Sequence, residues 1–174
     1  MKELKDYVLT IPDFPKKGIM FRDVTSVISD PDGLKLAVDK MSELIKDDEC
    51  DVIVGAESRG FIFGSVLALN KNAGLVLARK PGKLPRETVS VEYDLEYGKG
   101  EIHIHKDAIK PGMKVIIVDD LIATGGTALA MAKLVEKLGG QVVKFVFLME
   151  LKGLEGRKLL DGYKVESAIS YEGA

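Results

Sequence analysis

Two adjacent carboxylates, Asp119 and Asp120, stand just ahead of the small-residue run Ala123, Thr124, Gly125, Gly126 and Thr127. The run has the composition of a phosphate cup. Glycine lets backbone come close to a ligand, a helix start offers free N–H groups and a positive dipole end, and threonine adds hydroxyl donors. A side chain at Gly125 is expected to fill that cup. Carboxylates repel phosphate, so the pair Asp119 and Asp120 must address another part of the same ligand, such as sugar hydroxyls. The plain alternative is a strand–turn–helix junction with an acidic cap. Acids, glycines and threonines converging at one strand end favour the binding site.

Other segments carry anion chemistry. In "GAESRGF", Glu57, Ser58 and Arg59 occupy a turn between two glycines spaced as in a Walker A loop. The Lys-Ser/Thr that must follow is replaced by Phe61 and Ile62, which argues against a P-loop nucleotidase. Arg59 at a helix start opposes the dipole, a misfit that an anion would repay. "ARKPGKLPRE" places Arg79, Lys80, Lys83 and Arg86 on one Gly/Pro-containing loop, which reads as a basic lid on a polyanion. His103 and His105 form an H-x-H pair without a third ligand nearby, and read as solvent-facing strand residues. Met20, Phe21 and Arg22 lie on an irregular, apolar segment. The residues alone favour a hydrophobic plug there, although an aromatic so placed can also stack on a flat base. Nothing in the residues alone makes Glu96 catalytic.

The elements that must position these groups follow from periodicity. Leu4, Tyr7, Val8 and Ile11 predict a short amphipathic helix. "IPDFPKKGIMFRDVT" is expected to hold no regular element, because of its prolines and glycine. "DPDGLKLAVDKMSELIKD" predicts a helix capped by Asp30 or Asp32, with Leu34, Ala37, Val38, Met41, Leu44 and Ile45 on its apolar face. "DVIVG", "GLVLARK", "KVIIVDD", "QVVKFVFLMEL" and "YKVESAISY" read as strands. An apolar helix follows the first, and the helix from about Thr127 to Leu138 stops at Gly139 and Gly140. Two alternating stretches joined at 97–100 predict a hairpin. Continuous apolar strands alternating with helices predict an α/β fold with a central, largely parallel sheet covered on both faces. In such folds ligands sit beyond the C-terminal strand ends, where Asp119 and Asp120 fall.

The chain has 174 residues, enough for one domain with a sizeable core. Its net charge of −2 implies no broad basic field, so no nucleic-acid partner is expected. Cys50 is the single cysteine, which suits a reducing compartment. No apolar run approaches the ~20 residues that span a bilayer, and no secretory leader is visible, so a cytoplasmic protein is expected.

"VIIVDDLIATGGTA" resembles the phosphoribosyl-diphosphate motif of the type I phosphoribosyltransferases. "DFPKKGIMFRDVT", "GAESRGFIFG", "ARKPGKLP", "LEYGKGE" and "SAISYEG" are similar, in order, to segments of the family's adenine branch. The resemblance covers the chain from about Ile11 to Tyr171. It implies the type I fold, with a small hood from about residues 1–30 plus the last strand, and a flexible basic loop and hairpin at about 80–105. It implies that adenine and phosphoribosyl diphosphate give AMP and pyrophosphate with Mg²⁺, in a homodimer. By the same resemblance, Ala123 to Thr127 hold the 5′-phosphate, and Asp119 and Asp120 face the ribose. Glu57, Ser58, Arg59, Arg79, Lys80 and Lys83 belong to the pyrophosphate and lid. Phe21 stacks on adenine beside Met20 and Arg22, and Glu96 handles a proton of the purine. Mg²⁺ arrives mainly on the diphosphate, with few direct protein ligands. Glu57 stands where many relatives carry aspartate, and Met20 where a branched aliphatic residue is common. The rival readings are a transferase for xanthine or another 6-oxopurine, and a non-catalytic regulator that senses phosphoribosyl diphosphate. The regulator requires a nucleic-acid-binding module for which the chain has no basic helix.

Overall fold

The computed structural model describes residues 1–95 and 97–173. In chain order the regular elements are β1 (Leu9–Pro12), β2 (Met20–Asp23), α1 (Thr25–Ile28), α2 (Pro31–Ile45), β3 (Val52–Ala56), α3 (Arg59–Asn70), β4 (Gly74–Ala78), β5 (Thr88–Asp94), β6 (Lys99–His105), β7 (Lys114–Ile122), α4 (Gly126–Lys137), β8 (Gln141–Leu151) and β9 (Val165–Tyr171). The continuous Val/Ile/Leu/Phe runs become a five-stranded parallel sheet in the order β4-β3-β7-β8-β9. Consecutive side chains on a strand face opposite ways, so one apolar run feeds two cores. On β8, Phe145 and Phe147 pack with Met131 and Leu134 of α4. Val146 and Leu148 pack on the other side with Met41 of α2 and with Phe63 and Leu67 of α3. Each of these fully buried side chains contributes roughly 1.5–3 kcal/mol.

Helix α2 starts as its sequence predicts. Asp30 Oδ1 accepts hydrogen bonds from the Asp32 and Gly33 amides at 2.9 and 3.0 Å, and Pro31 occupies the first helical position. The predicted hairpin is present as β5 and β6, an antiparallel pair apart from the main sheet. Its inner residues, among them Ile102 and Ile104, join the α4 side of the core. The segment from 80 to 105 is therefore two things: an exposed loop up to 87, then a hairpin with a buried face.

The N-terminus differs from its expected form. Leu4–Tyr7 is a single 3-10 turn, and Ile11 belongs to a strand. The segment expected to hold no regular element supplies β1 and β2, paired antiparallel from Leu9 with Asp23 to Pro12 with Met20. Pro12 is tolerated because it closes a strand of a two-stranded ribbon, and Pro15 and Gly18 fall in the connecting loop. This ribbon reaches the last strand through Arg22, whose guanidinium lies 4.2 Å from the Tyr171 ring centroid.

One buried charge ties α2 to the sheet. Lys144 of β8 is 9 % exposed and donates to the Leu44 carbonyl at 2.7 Å. It also pairs with Asp48 at 2.7 Å and Glu166 at 3.1 Å. Burial alone would lower its pKa, but the hydrogen bonds to Asp48 and Glu166 outweigh it and the pKa is raised. Replacing Lys144 by alanine leaves Asp48 without its cation and strips the end of α2 of a partner. Chemical denaturation is expected to show a loss of about 3–5 kcal/mol, with the KM values of the folded fraction unchanged. A loss below about 1 kcal/mol, the range of exposed pairs, would remove this lock from the account.

Candidate active site

The C-terminal ends of β3, β4 and β7 converge on a cleft of about 390 Å³. β7 contributes Asp119 and Asp120, and the turn from β3 into α3 contributes Glu57, Ser58 and Arg59. Lys80 follows β4, Tyr93, Glu101 and Ile102 come from the hairpin, and Thr127 begins α4. A smaller hollow of about 100 Å³ lies beside it, lined by Asp119, Leu121, Ile122, the run Ala123 to Ala128, and Phe147. The two hollows share Asp119, Leu121 and Thr127. The acids and the glycine turn thus face adjoining compartments.

The smaller hollow is made by backbone. Gly125 is the N-terminal cap of α4 and takes φ +88°, the left-handed region that glycine enters without strain. The helix runs twelve residues behind it, so its unpaired amides and the positive end of its dipole favour an anion in the hollow. A feature absent from the sequence reading backs this loop: the 3-10 turn Gly156–Lys158. A Cβ on Gly125 would stand 2.6 Å from the Gly156 carbonyl oxygen, and one on Gly156 would stand 2.5 Å from that of Ala123. A side chain at Gly125 therefore meets neighbouring backbone before it fills the cup.

The two acids are not equivalent. Asp120 is 4 % exposed and its Oδ2 accepts from Arg59 Nε at 2.5 Å. That pair bridges β7 and α3, and it holds the Arg59 guanidinium above its ordinary pKa. Among the described residues the terminal nitrogens of Arg59 have no protein hydrogen bond, so they stay available to an anion. Asp119 is partly buried and accepts the Asp120 amide at 2.8 Å. Burial, and then the neighbouring Asp120 charge, push its carboxyl well above the usual aspartate range.

Glu57 takes part in a second ion pair. Its Oε1 accepts from Arg79 Nε at 2.7 Å, and its amide donates to the Ala78 carbonyl at 2.9 Å. The Arg79 hydrogen bond holds the Glu57 carboxyl below its ordinary pKa, against the effect of burial. The Glu57–Ser58 peptide is cis. Arg79 thus braces the turn that lines the cleft. Lys83 is exposed on the loop and does not line the cleft, and Arg86 pairs with Asp107 at 3.2 Å.

Met20, Phe21 and Arg22 form β2, outside the cleft lining. Phe21 meets Phe14 edge to face at 5.1 Å, and Arg22 donates to the Thr10 hydroxyl at 2.5 Å. Arg22 Nε is buried without a hydrogen-bond partner among the described residues. The next residue, Asp23, is close enough to Arg59 to raise its pKa. Glu96 lies outside the described residues.

His103 corrects the sequence reading. Its side chain is 17 % exposed, with Nδ1 2.8 Å from the Thr88 hydroxyl and Nε2 2.8 Å from Glu101. The reason is a bridge that the sequence does not announce. Arg79 and His103 exchange backbone hydrogen bonds at 2.9 and 2.8 Å, which brings the end of β4 onto the hairpin. Among the described residues no three His, Cys, Asp or Glu side chains converge as a metal site requires.

Residues 25–171 match the family described as the phosphoribosyl transferase domain. An adenine phosphoribosyltransferase of Agathobacter rectalis is 62 % identical over 173 residues, covering 99 % of each chain. The crystal structure of the adenine phosphoribosyltransferase from Thermoanaerobacter pseudethanolicus superimposes with a TM-score of 0.93 at 50 % identity, covering 97 % of this chain and 98 % of that one. The Saccharomyces cerevisiae enzyme, complexed with D-2,5-dideoxy-2,5-imino-altritol 1,6-bisphosphate and adenine, gives 0.88 at 41 % identity over 95 % and 96 %.

Proposed function

The chain belongs to the phosphoribosyl transferase family, and we infer that it joins adenine to 5-phosphoribosyl 1-diphosphate, giving AMP and pyrophosphate. Full-length relatives at this identity support the activity. The observation that carries the site assignment is that the amide-lined hollow and the acid-lined cleft adjoin through Asp119 and Thr127. One ligand with a phosphate, a sugar and a second anionic group fits that arrangement.

In this reading Ala123 to Thr127 hold the 5′-phosphate, and Asp119 and Asp120 hold the ribose hydroxyls. The purine N9 lone pair forms a bond to the anomeric carbon. The bond from that carbon to the diphosphate oxygen breaks, and its electron pair leaves with pyrophosphate. Positive charge grows on the sugar between these events, and a carboxylate held nearby stabilises it. Arg59 and Lys80 face the departing anion from the cleft wall, and Ser58 adds a hydroxyl. Glu57 and Arg79 keep that wall in place, and Lys83 serves a loop that covers the diphosphate and excludes water. Met20, Phe21 and Arg22 bind adenine from the hood, made of about residues 1–30 with the last strand. Glu96 takes the proton released at the imidazole edge.

Mg²⁺ fits this donor set as a guest of the diphosphate, because the cleft carboxylates Glu57, Glu101, Asp119 and Asp120 form, among the described residues, no group of three that could cage a metal. Bound there, it would neutralise charge building on the leaving group. Family resemblance supports a homodimer and a cytoplasmic setting. No helix among the described residues is long and apolar enough to cross a membrane.

Pyrophosphate release with adenine, hypoxanthine, guanine and xanthine tests the reading. Turnover with adenine alone is expected. Turnover with xanthine and none with adenine would overturn the specificity, and binding of phosphoribosyl diphosphate without turnover would point to the regulator. Glu96→Gln is expected to lower kcat by a larger factor than it changes either KM. Steady-state rates equal to those of the parent would remove Glu96 from the chemistry.

A further inference from the structure

We propose that Glu150 and Arg157 are positioning residues for the 5′-phosphate, holding the turn Gly156–Lys158 against the back of the Ala123–Thr127 loop. The inference rests on the reading that this loop is the phosphate cup. Glu150 lies near the end of β8, opposite Ile122 in the sheet register, and is 5 % exposed. A carboxylate so buried must be paired. Its Oε1 accepts from Arg157 Nε at 2.7 Å, and its Oε2 accepts from the Ser167 hydroxyl at 3.2 Å. Arg157 Nη1 donates to the Val165 carbonyl at 2.6 Å. One guanidinium thus fastens the turn to two neighbouring strands, β8 and β9.

What it fastens is the residue beside it. Gly156 packs backbone to backbone on Ala123 and Gly125, with no room for a Cβ on either glycine. Glu155, just before, takes φ +54°, a left-handed conformation that residues with side chains seldom adopt. The chain bends there to deliver Gly156, and the Glu150–Arg157 pair keeps it delivered. The cup holds its ligand through amides whose directions depend on the loop conformation. Loss of the backing turn should therefore weaken the phosphate end of the substrate and leave the diphosphate and purine ends alone.

The test uses the full chain and two partial ligands, ribose 5-phosphate and inorganic pyrophosphate, as inhibitors. Arg157→Ala is expected to weaken ribose 5-phosphate and raise the KM for phosphoribosyl diphosphate by about tenfold, the scale of one charge-assisted hydrogen bond. Pyrophosphate inhibition and the KM for adenine should stay within about twofold. Arg157→Lys keeps the charge but not the fork, and should recover part of the loss. Equal weakening of both inhibitors, or none, in a variant that melts like the parent would overturn the proposal. If Arg157→Ala does not fold, Ser167→Ala removes one bond from the same carboxylate and should show the same pattern at smaller size; no change there overturns it too. Thr127→Val separates the two levels. If it weakens ribose 5-phosphate and the folded Arg157 variants do not, the positioning role alone fails. If neither does, the cup reading itself fails.

Discussion

Asp119→Asn is expected to slow turnover by about a hundredfold or more, the usual scale for removing one charge-stabilising group, while making the ligand-free protein more stable at neutral pH. Both outcomes have one cause. Burial and the adjacent Asp120 disfavour the Asp119 carboxylate, so its pKa in the folded state lies well above the ordinary value. A raised carboxyl pKa means that the folded state holds a proton the unfolded chain has already released. Stability from this group is full below the ordinary aspartate range, and it is lost as pH rises from there through the elevated folded value. Asparagine keeps the acceptor for the Asp120 amide and has no charge to bury. The charge it lacks is the one that the proposed transition state requires. In the parent, kcat/KM, which reports the free protein, should fall on the acid side at a pH above that of an ordinary aspartate. Melting curves and steady-state rates across pH check both halves. A variant as fast as the parent would remove Asp119 from the chemistry, and one less stable at neutral pH would contradict the electrostatics.

Gly125→Val is expected to reduce affinity for phosphoribosyl diphosphate by roughly 10²–10³-fold, equivalent to losing two charge-assisted hydrogen bonds. Two independent strains act. The residue takes φ +88°, where a β-branched side chain is a severe outlier, and its Cβ would lie 2.6 Å from the Gly156 carbonyl oxygen. The loop must move, and the amide directions move with it. From the sequence, a side chain at Gly125 is expected only to fill the cup. The packing on Gly156 instead predicts a lower melting temperature as well, since the displaced turn loosens the end of β8. Binding of ribose 5-phosphate by calorimetry and a thermal melt read the two effects. Parent-like affinity would remove this loop as the phosphate site.

The parts legible in the sequence are those whose cause is local. β7 and the start of α4 carry their strand, acids, glycines and helix within one stretch, so both the elements and their place on the cleft could be read there. The parallel sheet follows from runs apolar on both faces, and the hairpin from alternation around a turn. The parts missed are set by distant partners. β1 and β2 are four-residue strands whose backbone pairing is with each other, set by a partner across a loop, and prolines nearby argued for a loop. Asp120 and Arg59 are 61 positions apart, so no spacing rule shows that the second acid is already paired with the arginine. The backing of the loop by Gly156 has one faint signal, a glycine next to Arg157 between β8 and β9. The burial of His103 depends on a bridge to Arg79 that joins two separate sheets. Residue types identified most members of the cleft, and tertiary contacts decide which of them touch a ligand and which hold the others.

A crystal structure of the protein with ribose 5-phosphate decides where the phosphate and the sugar sit, because this ligand has one phosphate and one sugar and no other anchor. The phosphate is predicted to lie against the amides of 124–127, with the 2- and 3-hydroxyls on Asp119 and Asp120. A phosphate seated instead at Ser58, Arg59 and Lys80, with the 123–127 loop empty, would contradict it.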